Sequence, residues 1–138
     1  MEDRRARVLV ADDHAPLLER VVKTLAGEFS VVATVADGID VMDANTAYHP
    51  DVLVIDLYMP GMSGLEVTAS LRRSGSQVPV VCLSAYEDRE MIEAAMEAGA
   101  LGYVTKACLA SDLVPAVHAA LDGRRFVSVL FEPIPSPR

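Results

Sequence analysis

The run Val52-Leu53-Val54-Ile55-Asp56 places four apolar residues in succession and ends on a carboxylate. A strand with one wet face alternates apolar and polar residues. A strand that does not alternate is covered on both faces, as in a parallel sheet between helices.

Runs of the same kind recur on either side: Val8-Leu9-Val10-Ala11, Val31-Val32-Ala33-Thr34-Val35, Val78 to Leu83, and Leu101 to Thr105. Between and after them, helical spacing covers Pro16 to Ala26, Gly38 to Tyr48, Ser63 to Arg73, Glu87 to Ala98 and Ser111 to Leu121. Pro16 suits a first helical turn, and Gly99 and Gly123 fall where helices stop in the left-handed conformation. The pattern reads as five βα units, with no shorter internal repeat. Right-handed crossovers then favour an α/β, doubly wound, five-stranded parallel sheet in the order 2-1-3-4-5 with five helices. Its ligand crevice lies at the carboxyl ends of the strands.

The 138 residues, 51% of them hydrophobic, suit one domain with a two-sided core. A formal net charge of -8 argues against direct binding of nucleic acid or anionic membrane. Cys82 and Cys108 form no CxxC or Cys/His pattern and read as reduced core thiols. Met1 to Arg7 is charged, and no signal sequence or long apolar span follows, so the chain reads as cytoplasmic.

The strand ends carry the chemistry. The first run closes on Asp12-Asp13, the third on Asp56, the fourth on Ser84 and the fifth on Lys106 after Thr105. In the order 2-1-3-4-5 these ends converge. Carboxylates brought together raise one another's pKa unless a cation joins them, and a hard divalent ion such as Mg²⁺ suits oxygen ligands with a partly open shell. Ser84 offers a hydroxyl and Lys106 a compact cation opposite the metal, the features that neutralise a transferred phosphoryl group, and Asp56 would be the nucleophile. Each residue alone also has an ordinary structural use: Asp12-Asp13 as a helix cap, Ser84 as a cap, Lys106 in solvent. Their joint placement is what points to a site.

At these positions the sequence resembles the receiver domain of two-component response regulators, from Val8 to about Ser128. The resemblance rests on Val8-Leu9-Val10-Ala11-Asp12-Asp13-His14, Asp56-Leu57-Tyr58-Met59-Pro60-Gly61-Met62-Ser63-Gly64, Leu83-Ser84-Ala85 and Gly99-Ala100-Leu101-Gly102-Tyr103-Val104-Thr105-Lys106. It implies a flavodoxin-like fold and a receiver domain over residues 1–128. Asp56 would accept a phosphoryl group from a sensor histidine kinase or phosphotransfer protein. Asp13 and Asp56 would ligate Mg²⁺ directly, Asp12 through water, and the Tyr58 backbone carbonyl would complete the protein ligands. Ser84 would bond the phosphoryl group and Lys106 would pair with it. Tyr103 would follow Ser84 inward as the switch residue, biasing the fourth helix, fifth strand and fifth helix toward their output state. That face would also serve a homodimer.

Among receivers, the Ala11-Asp12-Asp13-His14 start and the closing Gly123-Arg124-Arg125-Phe126-Val127-Ser128 most resemble the branch fused to a helix-turn-helix output domain. Here a Pro-rich segment, residues 129–138, follows as a tail or truncated linker. The output would pass to a downstream protein partner or a missing output domain.

Three features depart from or qualify the pattern. Family members often carry proline after the lysine, in a cis peptide that orients it. Here Ala107 follows, and a non-proline cis bond would cost about 2.5–4 kcal/mol. Pro115 falls inside the fifth helical segment, which would start late, capped by Ser111, or kink there, with a bearing on partner choice. Tyr58 and Tyr86 lie two residues after Asp56 and Ser84, positions at which receivers tune phosphoryl lifetime. Bulky rings there would hinder attack by water.

Two other functions fit parts of the pattern. An aspartyl-phosphate phosphatase also uses a strand-end aspartate with Mg²⁺, but usually carries a second aspartate where this chain has Tyr58. A phosphorylation-independent interaction module would not need Asp12, Asp13, Asp56, Ser84 and Lys106 together.

Overall fold

In the computed structural model, which describes residues 5–86 and 88–128, the chain alternates strand and helix. The order is β1 (Arg7–Ala11), α1 (Ala15–Ala26), β2 (Ser30–Val35), α2 (Gly38–Tyr48), β3 (Val52–Asp56), α3 (Gly64–Arg73), β4 (Val80–Ser84) and α4 (Arg89–Ala98). It continues through β5 (Gly102–Thr105), a 3₁₀ turn (Lys106–Cys108), α5 (Leu109–Leu121) and β6 (Phe126–Val127). The sheet is parallel throughout, in the order β2-β1-β3-β4-β5-β6. The expected flavodoxin-like order 2-1-3-4-5 is therefore present, extended by one short edge strand.

Consecutive residues of the apolar strands face opposite layers, as a period of two requires. Val8, Val10, Val52, Val54, Val81 and Leu83 pack with α1 and α5 through Leu17, Val21, Leu25, Leu109, Leu113 and Val117. Leu9, Ala11, Leu53, Ile55, Val80 and Cys82 pack with α2, α3 and α4 through Val41, Val67, Leu71 and Ala95. All of β3 is buried, and Asp56 at its end is only 1% exposed. A carboxylate held at that depth needs partners, which the neighbouring strand ends provide.

Several boundaries differ from the sequence reading. β4 begins at Val80 rather than Val78, beyond Pro79, whose nitrogen cannot donate to a ladder. α4 begins at Arg89, where Asp88 accepts from the Glu90 N–H; Glu87, the expected start, lies outside the described residues. α5 neither starts late nor takes its cap from Ser111. It starts at Leu109 out of the 3₁₀ turn, and the Ser111 hydroxyl donates back to the Cys108 carbonyl. Pro115 thus sits in the helix interior, on its exposed side, and cannot donate the regular helical bond to the Ser111 carbonyl. The Lys106–Ala107 peptide is trans. Cys82 is a buried core thiol, its pKa pushed up to about 12 by burial, whereas Cys108 is only half-buried; both are free. The Pro-rich segment 129–138 lies outside the described residues.

Candidate functional site

The site forms where β1, β3, β4 and β5 end. α1 follows β1, but its cap is not an aspartate: His14 Nδ1 accepts from the Leu17 N–H at 3.3 Å. Asp12 and Asp13 are thereby released from the capping role that their position alone would allow. Asp12 Oδ1 accepts from the His14 N–H at 2.8 Å. Its other oxygen, Oδ2, is buried and has no hydrogen-bond partner among the described residues. An unpaired buried carboxylate oxygen is costly, and it marks a place for a cation.

Asp13 is exposed, yet one oxygen from each of Asp12, Asp13 and Asp56 lies within 4.8 Å of the others. Burial pushes the Asp12 carboxyl above its ordinary 3.8; the His14 N–H works against this, and the Asp56 charge adds to it. Three hard oxygen donors with one orphaned atom are a donor set suited to Mg²⁺.

Asp56 is held from two sides. Lys106 Nζ donates to Oδ2 at 2.7 Å, and the Tyr58 N–H donates to Oδ1 at 3.0 Å. The lysine reaches the carboxylate although its peptide is trans, so the expected difficulty of orienting it without a following proline does not arise.

Ser84 is buried at the end of β4, paired in register with Thr105, and its Oγ accepts from the Tyr86 N–H at 3.1 Å. Tyr103 is turned fully inward, 0% exposed, and its hydroxyl donates to the Tyr86 carbonyl at 2.6 Å. Burial pushes its phenol up, and the neighbouring Ser84 hydroxyl works against this. Tyr58 and Tyr86 are 50% and 60% exposed, and their rings meet edge to face at 6.1 Å and 87°.

The sequence reading therefore named residues that the fold does bring together. It overlooked what supports them. α3 opens with a reciprocal cap, Ser63 Oγ accepting from the Glu66 N–H and Glu66 Oε1 from the Ser63 N–H. A Cβ on Gly64 would stand 2.5 Å from the Asp56 carbonyl oxygen, so glycine is what lets α3 begin directly behind Asp56. The Ser63-to-Glu66 spacing was the available signal for the cap. Thr105 Oγ1, next to Lys106 in sequence, buried and without a hydrogen-bond partner among the described residues, was also overlooked.

Comparison with known proteins agrees with this geometry. The DNA-binding response regulator MtrA of Mycobacterium tuberculosis is 37% identical over 121 residues, covering 88% of this chain and 53% of that protein. The probable transcriptional regulatory protein NarL of the same species is 33% identical over 129 residues, covering 92% and 60%. The chain thus spans about half the length of the curated relatives it matches. The solved signal receiver domain of the putative regulator NarL from M. tuberculosis superposes with a TM-score of 0.83 at 33% identity, covering 88% of this chain and all of that one. Residues 8–118 match the response regulator receiver domain, and with the strand-end aspartates, serine and lysine gathered on that fold, the chain belongs to this family.

Proposed function

We propose that Asp56 accepts a phosphoryl group in a Mg²⁺-dependent reaction and that the α4–β5–α5 face carries the result to a partner. The observation that supports this most is the pairing of Asp56 Oδ2 with Lys106 beside the orphaned oxygen of Asp12.

Asp12, Asp13, Asp56 and the Tyr58 carbonyl would hold Mg²⁺, which when bound offsets the carboxylate charges and polarises phosphoryl oxygens. A carboxylate oxygen of Asp56 attacks phosphorus in line. The phosphorus–nitrogen bond of a phosphohistidine donor breaks, its electron pair stays on the imidazole, and Asp56 becomes an acyl phosphate. Lys106 exchanges its carboxylate partner for a phosphoryl oxygen without leaving the pocket. The Ser84 hydroxyl supplies a second donor. Tyr103 is already turned inward.

In this reading the chain is a phosphoacceptor signalling domain rather than an enzyme acting on a separate substrate, and it works in the cytoplasm. No helix among the described residues is long and apolar enough to cross a membrane. Its donor is a sensor histidine kinase or phosphotransfer protein. Its output passes to a protein partner or, as the name of MtrA states for that relative, to a DNA-binding function.

Incubation with acetyl phosphate and Mg²⁺, followed by intact mass measurement, tests the proposal. Wild type should gain the mass of one phosphoryl group, and Asp56→Asn or protein in EDTA should not. An unmodified wild-type protein, or modification independent of Mg²⁺, would overturn it.

A further inference from the structure

We propose that Tyr86 is a positioning residue that ties the aromatic pair beside the acceptor to the buried Tyr103, so that phosphoryl lifetime and the position of Tyr103 are set by one linkage. The inference rests on Asp56 being the acceptor.

Tyr86 follows β4 on a connecting segment, and most of its ring is in solvent. Burial therefore does little to hold it. Its backbone is held instead, by an N–H donated to Ser84 Oγ and a carbonyl that accepts the Tyr103 hydroxyl. Its ring meets Tyr58 edge to face. Tyr58 in turn donates its own N–H to Asp56 Oδ1.

A continuous set of contacts thus runs from the acceptor carboxylate through Tyr58 and Tyr86 to both Ser84 and Tyr103. When Asp56 changes its charge and oxygen geometry, the acceptor of the Tyr58 N–H changes with it. Tyr58 transmits this to Tyr86 through the ring contact, and Tyr86 is bonded to both switch residues. Coupling is reciprocal: a change that loosens Tyr103 also loosens the rings that hinder water at Asp56. Any residue at position 86 would offer the backbone carbonyl that Tyr103 bonds; what the tyrosine adds is the ring contact with Tyr58, which joins that bonded backbone to the loop after β3.

The test uses the full chain labelled with 3-fluorotyrosine; its four tyrosines are few enough to assign by single replacement with phenylalanine. Tyr103→Phe removes only the hydroxyl and should shift the Tyr58 fluorine resonance. In a Tyr86→Ala background that response should vanish, while the resonance of distant Tyr48 stays put in both. In the phosphorylated protein, Tyr103→Phe and Tyr86→Ala should each speed loss of the phosphoryl group by about threefold to tenfold, the scale of one aromatic contact, and the double variant no further. A Tyr58 response that persists without the Tyr86 ring, or rate effects that multiply, would overturn the linkage. If wild type takes up no phosphoryl group, the acceptor reading falls, and the fluorine spectra alone decide the linkage.

Discussion

Lys106 Nζ and Asp56 Oδ2 are 2.7 Å apart, with the lysine side chain 26% exposed and the aspartate 2%. The pair is asymmetric: the cation can exchange with water and the anion cannot. Removing the lysine leaves a buried charge beside Asp12, whereas removing the aspartate leaves a cation that can turn toward solvent.

Lys106→Met is therefore expected to lower the unfolding free energy by about 1–3 kcal/mol, below the full cost of breaking a buried pair because the lysine is partly screened. Adding Asp56→Asn should restore most of that loss, since the unpaired charge goes with it. Urea unfolding of the two single variants and the double variant in EDTA checks this. Additive losses would mean that the pair does not bear on stability.

The raised pKa of Asp12 has a defined sign. The native state binds this proton more tightly than the unfolded chain, so the associated stability is present below the ordinary 3.8 and is lost as pH rises through the elevated value. In metal-free protein, Asp12→Asn should be more stable than wild type at neutral pH, and the difference should close as pH falls toward 3.8. Mg²⁺ should narrow the neutral-pH gap by stabilising wild type. Denaturation curves across that range, with and without Mg²⁺, measure both effects.

Tyr58, after β3, and Tyr86, after β4, form an edge-to-face pair across the strand ends. Replacing them by small or hydrated side chains, Tyr58→Asn with Tyr86→Glu, should shorten the life of the Asp56 phosphate by about tenfold or more through easier in-line attack by water. Release of phosphate after removal of the donor gives the rate. An unchanged rate would place the hindrance elsewhere.

Gly64→Ala forces a methyl group against the Asp56 carbonyl and the Leu57 Cα, at 2.5 and 2.9 Å. Backbone cannot yield as a flexible side chain does. A loss of about 2 kcal/mol or more is expected, together with weaker Mg²⁺ binding as the acceptor shifts. Thermal unfolding and calorimetric titration with Mg²⁺ report the two effects separately.

The central strands could be read directly because burial on both faces removes polar alternation, and runs such as Val52 to Ile55 have no competing interpretation as amphipathic elements. The candidate site stood out for the same reason: a carboxylate or hydroxyl at the end of an apolar strand, or an ammonium just after one, breaks the run. β6 was not legible, since it is two residues long and half-buried; its place depends on the Phe126 N–H meeting the Leu101 carbonyl and the Ser128 N–H meeting that of Tyr103. Ser128 is then fixed by a hydroxyl donated to Asp112, a contact across 16 residues that no local pattern reveals. The start of α5 was misread because Pro115 argues locally for a late start. Leu109 and Leu113, both buried against the sheet, hold the turn ahead of it in helical form. Tertiary packing there outweighed propensity.

Reductive trapping tests the assignment of Asp56 most directly. Wild-type protein phosphorylated with acetyl phosphate and Mg²⁺ is treated with borohydride, which converts a phosphoaspartate to homoserine, and the product is mapped by peptide mass spectrometry. Homoserine at position 56 alone is the expected result. Homoserine at Asp12 or Asp13 with residue 56 unchanged would contradict it.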